Sequence, residues 1–223
     1  LLDDVIKPAV QKYPDSVPFE NPRLSAQYLA KLIEQAVSST VLKASEAMEW
    51  MQKIASAIAA CGKTIHWTTP LGFPVVQDYR KVTSRQINSV VFGTRMQCRV
   101  SEAQDAIDTR KMVNAISPNV VHSLDATHLL LTVLKAAAED INQFALVHDS
   151  FGTHAADTEL FFFVIREAFV GLYQRDVFEE LEQEFLSQIE PDIAAKKGKQ
   201  LPYLPPKGSY QLESIIHSSF AFA

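Results

Sequence analysis

The chain has 223 residues, of which 47% are hydrophobic, with a net charge of −5 at pH 7 and two cysteines. That is enough apolar material for a substantial core in one large domain or two subdomains, and no apolar segment approaches the roughly 20 residues of a membrane span, so a membrane partner is excluded. Cys61 and Cys98 make neither a disulfide framework nor a metal knuckle, which points to a reducing compartment.

The chain starts at Leu1 and its first methionine is Met48, so a fragment of a longer product is expected. The start shows no basic segment followed by an apolar one. Charge is unevenly placed. Arg80, Lys81, Arg85, Arg95 and Arg99 stand between residues 80 and 101 with no acidic residue among them, while residues 176 to 192 hold seven acidic residues and no basic one. A positive stripe in an acidic protein suits either a groove that follows phosphates or a solvated basic surface.

In chain order, residues 1–10 read as the end of a helix, broken by the Pro14 and Pro18 loop. Asn21-Pro22 forms a cap with proline at the first helical position. Apolar residues then recur at helical spacing from Tyr28 to Ile58, which predicts one long helix or two nearly collinear ones, closed by Gly62. Met48, Trp50 and Met51 are core positions. Residues 64–68 read as a strand, 70–74 as a turn and 75–79 as a second strand, with His66 a partnered sheet residue.

Residues 82–100, folded about Phe92-Gly93-Thr94, predict an exposed β-hairpin. Arg85, Gln86, Asn88, Arg95 and Arg99 give it donors suited to guanine, adenine and phosphate, and a two-stranded ribbon fits the major groove. Residues 101–111 read as a polar loop or short helix, and Ser117-Pro118 as the start of a helix over 119–139. On that helix His122, Asp125 and His128 recur every three residues. Successive members stand about 60° apart and the two histidines about 120° apart, so a straight helix does not aim all three at one ion. His128, on the side of Leu124 and Leu131, is a core histidine with a hydrogen-bond partner; His122, with Asp125 nearby, is the better functional candidate.

Phe144 to His154 is an apolar run, a His148-Asp149-Ser150 corner and a return. It predicts two buried strands joined by a tight turn with Asp149 at the tip. A rigid, partly desolvated carboxylate there suits Mg²⁺, which takes oxygen ligands; alternatively the aspartate satisfies turn amides. Asp157 then caps a helix with Phe161, Val164, Ile165, Ala168 and Leu172 on one face, widened by Leu160, Phe162 and Phe163, so packing on more than one side is expected. The acidic helix 176–189 reads as a solvated face and residues 191–208 as a loop. A short helix with Leu212, Ile215 and Ile216 precedes the ending Phe220-Ala221-Phe222-Ala223.

Several of these segments together resemble a known family. Val147-His148-Asp149-Ser150-Phe151-Gly152-Thr153 is similar to the last catalytic motif of the single-subunit, bacteriophage and mitochondrial type DNA-dependent RNA polymerases. Pro70-Leu71-Gly72-Phe73-Pro74, the pattern Pro118-Asn119-x-x-His122-Ser123-x-Asp125 and the Phe-Ala-Phe-Ala ending agree with that family in order and spacing, so the resemblance covers essentially the whole chain. It implies an α+β, mostly helical polymerase portion: the C-terminal part of the fingers over 1–117, with a promoter-reading hairpin at 82–100, and the C-terminal part of the palm over 118–223, with a small antiparallel sheet around the catalytic hairpin 144–154. It implies template-directed RNA synthesis with DNA template and promoter, nascent RNA and NTPs as partners, and an upstream portion of the polymerase needed for activity. Asp149 would be one of two carboxylates binding two Mg²⁺ ions, the second lying outside this chain. His148 would shape the turn, His122 would line the nucleotide site, and Phe222 and Ala223 would reach it. Ser150, where related DNA polymerases place Glu, favours RNA synthesis, and the ending favours the phage branch and the cytoplasm of a bacterial host over the mitochondrion. A family-A-like DNA polymerase palm and a non-catalytic DNA-binding module that uses only the basic ribbon are the alternatives.

Overall fold

A computed structural model describes residues 2–12 and 21–218. The chain divides into two compact units, Leu1–Ala47 and Met48–Ala223. In the first, a π-helical turn over Leu2–Ile6 leads into α1 (Lys7–Lys12), and α2 spans Pro22–Thr40. Asn21 caps α2 as its sequence predicts: its side-chain oxygen accepts from the backbone N–H groups of Arg23 and Leu24, and Pro22 occupies the first turn, where no N–H is required. The periodic stretch that follows is two helices. Val41 leaves the helical region at φ −109° and ψ 57°, and α3 begins at Leu42 and runs to Ala60. Gly62, at φ +76°, provides the left-handed residue that ends it.

The second unit is built on one buried cluster. Trp50, Met51, Ile54 and Ile58 of α3 meet Ile65 and Trp67 of β1 (Ile65–Thr68), Met112, Ile116, Val120 and Leu124 of α4 (Thr109–Ala138), and Val177, Leu181 and Phe185 of α6 (Val177–Gln188). Phe185 sits between the two tryptophans, its ring 6.3 Å from Trp50 and 6.1 Å from Trp67. The acidic helix α6 is therefore not only a solvated face. Its glutamates cover one side while the i, i+4 positions Val177, Leu181 and Phe185 are buried. Its end also docks on the sheet: the Gln188 side chain accepts from the His66 N–H at 3.0 Å and donates to the His66 carbonyl at 2.7 Å, and Glu184 accepts from the Thr68 N–H at 2.7 Å.

Among the described residues, three antiparallel hairpins account for the strands. β1 pairs with β2 (Pro74–Gln77), β3 (Arg80–Val91) with β4 (Thr94–Ile107), and β5 (Ala145–Val147) with β6 (Ser150–Gly152). The middle ribbon is longer than its apolar pattern suggests. β4 continues to Ile107: residues 101–103 stay paired with 82–84, a bulge follows before Ile107 pairs with Arg80, and residues 101–106 are exposed on both faces, which leaves no alternation to read. Arg80 secures the base of the ribbon through Asp78 and the Asp105 carbonyl, both at 2.5 Å.

Pro118 does not begin a helix; it lies within α4, which starts at Thr109 behind the cap Asp108, whose side chain accepts from the Lys111 N–H at 3.0 Å. Proline inside a helix removes one i→i−4 bond at a cost of about 3 kcal/mol. Met112, Ile116, Val120 and Leu124, at i+4 spacing on one buried face, run through the proline and offset that cost. The expected division at 117/118 thus falls inside an unbroken helix. Residues 191–196 form a short helix, α7 (Pro191–Lys196), instead of pure loop, and Leu212–His217 is a 3₁₀ segment. No described helix is long and apolar enough to cross a membrane.

Candidate functional site

The His148-Asp149 hairpin is a minimal one. Three register pairs hold it: Ala145 opposite Gly152, Leu146 opposite Phe151 and Val147 opposite Ser150. A Cβ at Gly152 would come within 3.3 Å of the Ala145 carbonyl oxygen, so glycine lets the strands close. The turn is tight enough to place His148 at φ +52°, a left-handed conformation that non-glycine residues seldom adopt. Asp149 follows at the tip.

The strands are not buried on both faces as expected. Leu146 and Phe151 face a small cluster of Ala136, Ile141, Phe161, Val164 and Ile165, while Ala145 and Val147 on the other face are exposed, Val147 at 68%. Asp149 is likewise exposed, not partly desolvated: two strands of three residues lift the turn clear of the helices beneath them. Among the described residues no three His, Cys, Asp or Glu side chains gather as a metal site. A solvent-facing carboxylate on a short, anchored turn offers a hard oxygen donor to Mg²⁺, and it fits one position of a shared coordination set.

Two helices anchor the hairpin. α5 (Thr158–Tyr173) begins after a 3₁₀ turn, with Asp157 at the cap position but without a side-chain capping bond. Its predicted apolar face is buried, whereas Leu160, Phe162 and Phe163, expected to pack on a further side, stay 36% to 49% exposed, with the Arg166 guanidinium 3.2 Å from the centre of the Phe162 ring. Between α4 and α5 lies His128, 6% exposed. Its Nε2 is 2.9 Å from the Ile165 carbonyl, and its ring meets Phe151 edge-on at 5.5 Å and Phe169 at 5.4 Å. The core-histidine expectation holds. Burial pushes its pKa below the ordinary imidazole value, outweighing the Ile165 carbonyl and the Asp125 carboxylate, which raise it.

His122 is exposed on α4, as is Asp125. Its neighbours in the motif explain how it is aimed. Ser123 accepts from the Trp67 indole N–H at 3.0 Å and donates to the Val120 carbonyl at 2.7 Å; Asn119 donates to Gln77 at 2.9 Å and to the Tyr79 hydroxyl at 3.2 Å. Asn119 and Ser123, one turn apart, thus face the β1–β2 side and leave His122 turned toward solvent. Neither was legible as an anchor, since both look like ordinary helix-surface polar residues. Asp125 lies toward α5, where burial, with the Asp125 charge added to it, raises the Tyr173 pKa.

The ribbon separates the remaining candidates. Residues directly opposite in an antiparallel pair share a face, so Gln86 with Arg99, Asn88 with Gln97 and Val90 with Arg95 put Gln86, Asn88, Arg95 and Arg99 together. Arg85 lies opposite Val100 on the other face, beside the Ile87–Cys98 and Ser89–Met96 pairs. The tip turns through Phe92 at φ +50° and Gly93 at φ +81°, as the primed two-residue hairpin turns do, and Phe92 is fully exposed. Phe222 and Ala223 lie outside the described residues.

Comparison with known proteins gives one consistent outcome. Residues 3–200 match the model of a family described as DNA-dependent RNA polymerase. The chain is 39% identical over its full length to the DNA-directed RNA polymerase of Enterobacteria phage T3 and 38% identical to the T7 RNA polymerase of Escherichia phage T7, covering 26% of each. It is 33% identical, over 87% of its length, to a mitochondrial DNA-directed RNA polymerase of Arabidopsis thaliana, of which it covers 19%. The chain therefore spans about a quarter of the length of the phage relatives it matches.

Proposed function

We propose a role in transcription from one premise: this chain belongs to the DNA-dependent RNA polymerase family. In that reading it is part of a single-subunit RNA polymerase that joins NTPs along a DNA template, acting with the rest of the polymerase, and its two portions are fingers and palm. The observation that carries the reading is Asp149 on the tip of the anchored β5–β6 hairpin, solvent-facing and held on a turn strained at His148. Asp149 would hold Mg²⁺ together with a second carboxylate from elsewhere in the polymerase; when bound, such ions activate a 3′ hydroxyl and neutralise the leaving pyrophosphate. His148 shapes the turn and the surroundings of the carboxylate, and His122, exposed on α4 and steadied by Asn119 and Ser123, faces the incoming nucleotide. Phe222 and Ala223 are proposed to complete that site.

The ribbon face bearing Gln86, Asn88, Arg95 and Arg99 supports promoter reading, since it joins amide donors for base edges with guanidinium groups for phosphate or guanine. Arg85, on the opposite face, is set apart from it. The similarity to phage polymerases along the full chain supports a site of action in the bacterial host cytoplasm. The test is Asp149→Ala in the complete polymerase: RNA synthesis is abolished while promoter DNA binding, followed by fluorescence anisotropy, persists. Synthesis at the parental rate would overturn the assignment.

A further inference from the structure

We infer that His128 is a positioning residue for the Asp149 carboxylate, acting through Phe151. The inference rests on the proposed role of Asp149 in holding the metal and extends it to a buried group to which that chemistry gives no part.

An isolated two-stranded hairpin is marginal in water, and β5–β6 has only three register pairs. Its aim is therefore set by whatever it rests on. On the inward face it rests on the cluster of Ala136, Ile141, Phe161, Val164 and Ile165, and its ring contacts are those of Phe151 with His128 and, at 6.3 Å, with Phe161, while Phe144 lies 5.7 Å from Phe161. Phe151 is two residues from Asp149 and directly opposite Leu146 in the ladder, so a shift of its ring is carried by a stiff β-strand to the turn.

Of the rings around Phe151, only that of His128 is fixed by a directional bond. The Ile165 carbonyl can only accept, so Nε2 of His128 carries the proton, and this bond sets the plane of the imidazole relative to α5. Edge contacts with Phe151 at 62° and with Phe169 at 87° then follow from one orientation. A phenylalanine would put a somewhat larger ring there with no bond to fix its plane. Packing alone thus does not call for a histidine. A registered junction between α4, α5 and β6 does, and that junction meets β6 at Phe151, two residues from Asp149.

The test uses the complete polymerase in three forms besides the parent. His128→Phe keeps an aromatic ring, slightly larger, but loses the bond to Ile165; Phe151→Leu keeps an apolar side chain but loses the ring; Asp149→Ala removes the carboxylate. Binding of Mn²⁺ is measured by electron paramagnetic resonance in the absence of NTP, alongside the Mg²⁺ concentration for half-maximal RNA synthesis, promoter affinity and the unfolding temperature. Supporting residues around a metal ligand commonly alter affinity 10- to 100-fold, and for an indirect support the low end applies. His128→Phe and Phe151→Leu should each weaken Mn²⁺ binding and raise the Mg²⁺ midpoint about tenfold, with promoter affinity unchanged. Unchanged metal midpoints in His128→Phe, whatever happens to rate or unfolding temperature, would overturn the inference and leave His128 an ordinary core residue. Should His128→Phe fail to fold, His128→Leu takes its place and decides by the same criterion. Parental Mn²⁺ binding in Asp149→Ala would instead defeat the reading of Asp149 itself, so the two failures are distinguishable.

Discussion

His148 is the residue at which backbone and chemistry can be separated. Its φ of +52° costs a non-glycine residue about 1 kcal/mol. His148→Gly relieves that strain but adds about 0.5–1 kcal/mol of backbone entropy to the unfolded chain, so the two nearly cancel. His148→Asn tolerates the left-handed region and should also be close to neutral. His148→Val sets a β-branched side chain where it is a true outlier and should cost a further 1–2 kcal/mol on the order of backbone strain energies. Because the hairpin has only three pairs, this loss appears first as local opening. Hydrogen exchange of the amides at Val147 and Ser150 should accelerate roughly 5- to 30-fold in the valine variant, the factor that 1–2 kcal/mol represents, and stay near parental in the other two. Mg²⁺-dependent RNA synthesis by the complete polymerase then divides the roles. Activity kept by glycine and asparagine but lost by valine assigns His148 to the turn alone; activity lost by all three at unchanged protection assigns a part to the imidazole itself. Parental protection in the valine variant would refute the claim that the left-handed turn holds the hairpin.

Two further outcomes follow from specific contacts. Gln188→Glu keeps the acceptor for the His66 N–H but removes the donor to the His66 carbonyl, so it should destabilise by about 1–3 kcal/mol at pH 8; the deficit should shrink toward pH 5 as the introduced carboxyl, its pKa raised by burial, regains a proton and donates again. Denaturant unfolding at the two pH values checks this, and equal stability of variant and parent at pH 8 would rule out the docking of α6 on β1. On the ribbon, Arg95→Ala and Arg99→Ala should each weaken promoter binding and lower the slope of log affinity against log salt by about one where a phosphate contact is lost, while Arg85→Ala leaves both nearly unchanged. Equal effects from all three would refute a two-faced ribbon.

Much of the fold was legible because its signals are local. Asn21-Pro22 caps α2, Gly62 ends α3, and Phe92-Gly93 turns the ribbon, each through a backbone requirement of one or two residues. Reading failed where tertiary packing overrode a local rule. Pro118 looks like a helix start, yet the buried row Met112, Ile116, Val120 and Leu124 carries α4 straight through it. The charges of α6 hide Val177, Leu181 and Phe185, whose spacing becomes decisive only once Trp50 and Trp67 stand opposite. Leu160, Phe162 and Phe163 mislead in the other direction: apolar content promised a covering partner, and they stay partly exposed, with the Arg166 guanidinium over the Phe162 ring.

The candidate site divides in the same way. Asp149 and His122 could be singled out because each belongs to a short contiguous pattern with a chemical meaning, and exposure leaves their side chains to solvent and ligand. What holds them could not be singled out, since each support joins residues far apart in the chain: Trp67 with Ser123, Gln77 with Asn119, and Phe151 with His128 and the Ile165 carbonyl. These supports share a physical form. Each pairs a polar group on the long helix α4 with a group on a neighbouring element, so α4 acts as a common ruler for the β1–β2 hairpin, the exposed His122 and the hairpin that bears Asp149. A ruler of that kind tolerates a proline better than a change of register: losing one backbone bond at Pro118 leaves Asn119, Ser123 and His128 on their faces, whereas inserting a single residue between positions 119 and 128 would turn His128 by about 100° relative to Asn119. Positional precision in this chain therefore resides in the spacing along α4 more than in the short hairpin whose carboxylate it serves.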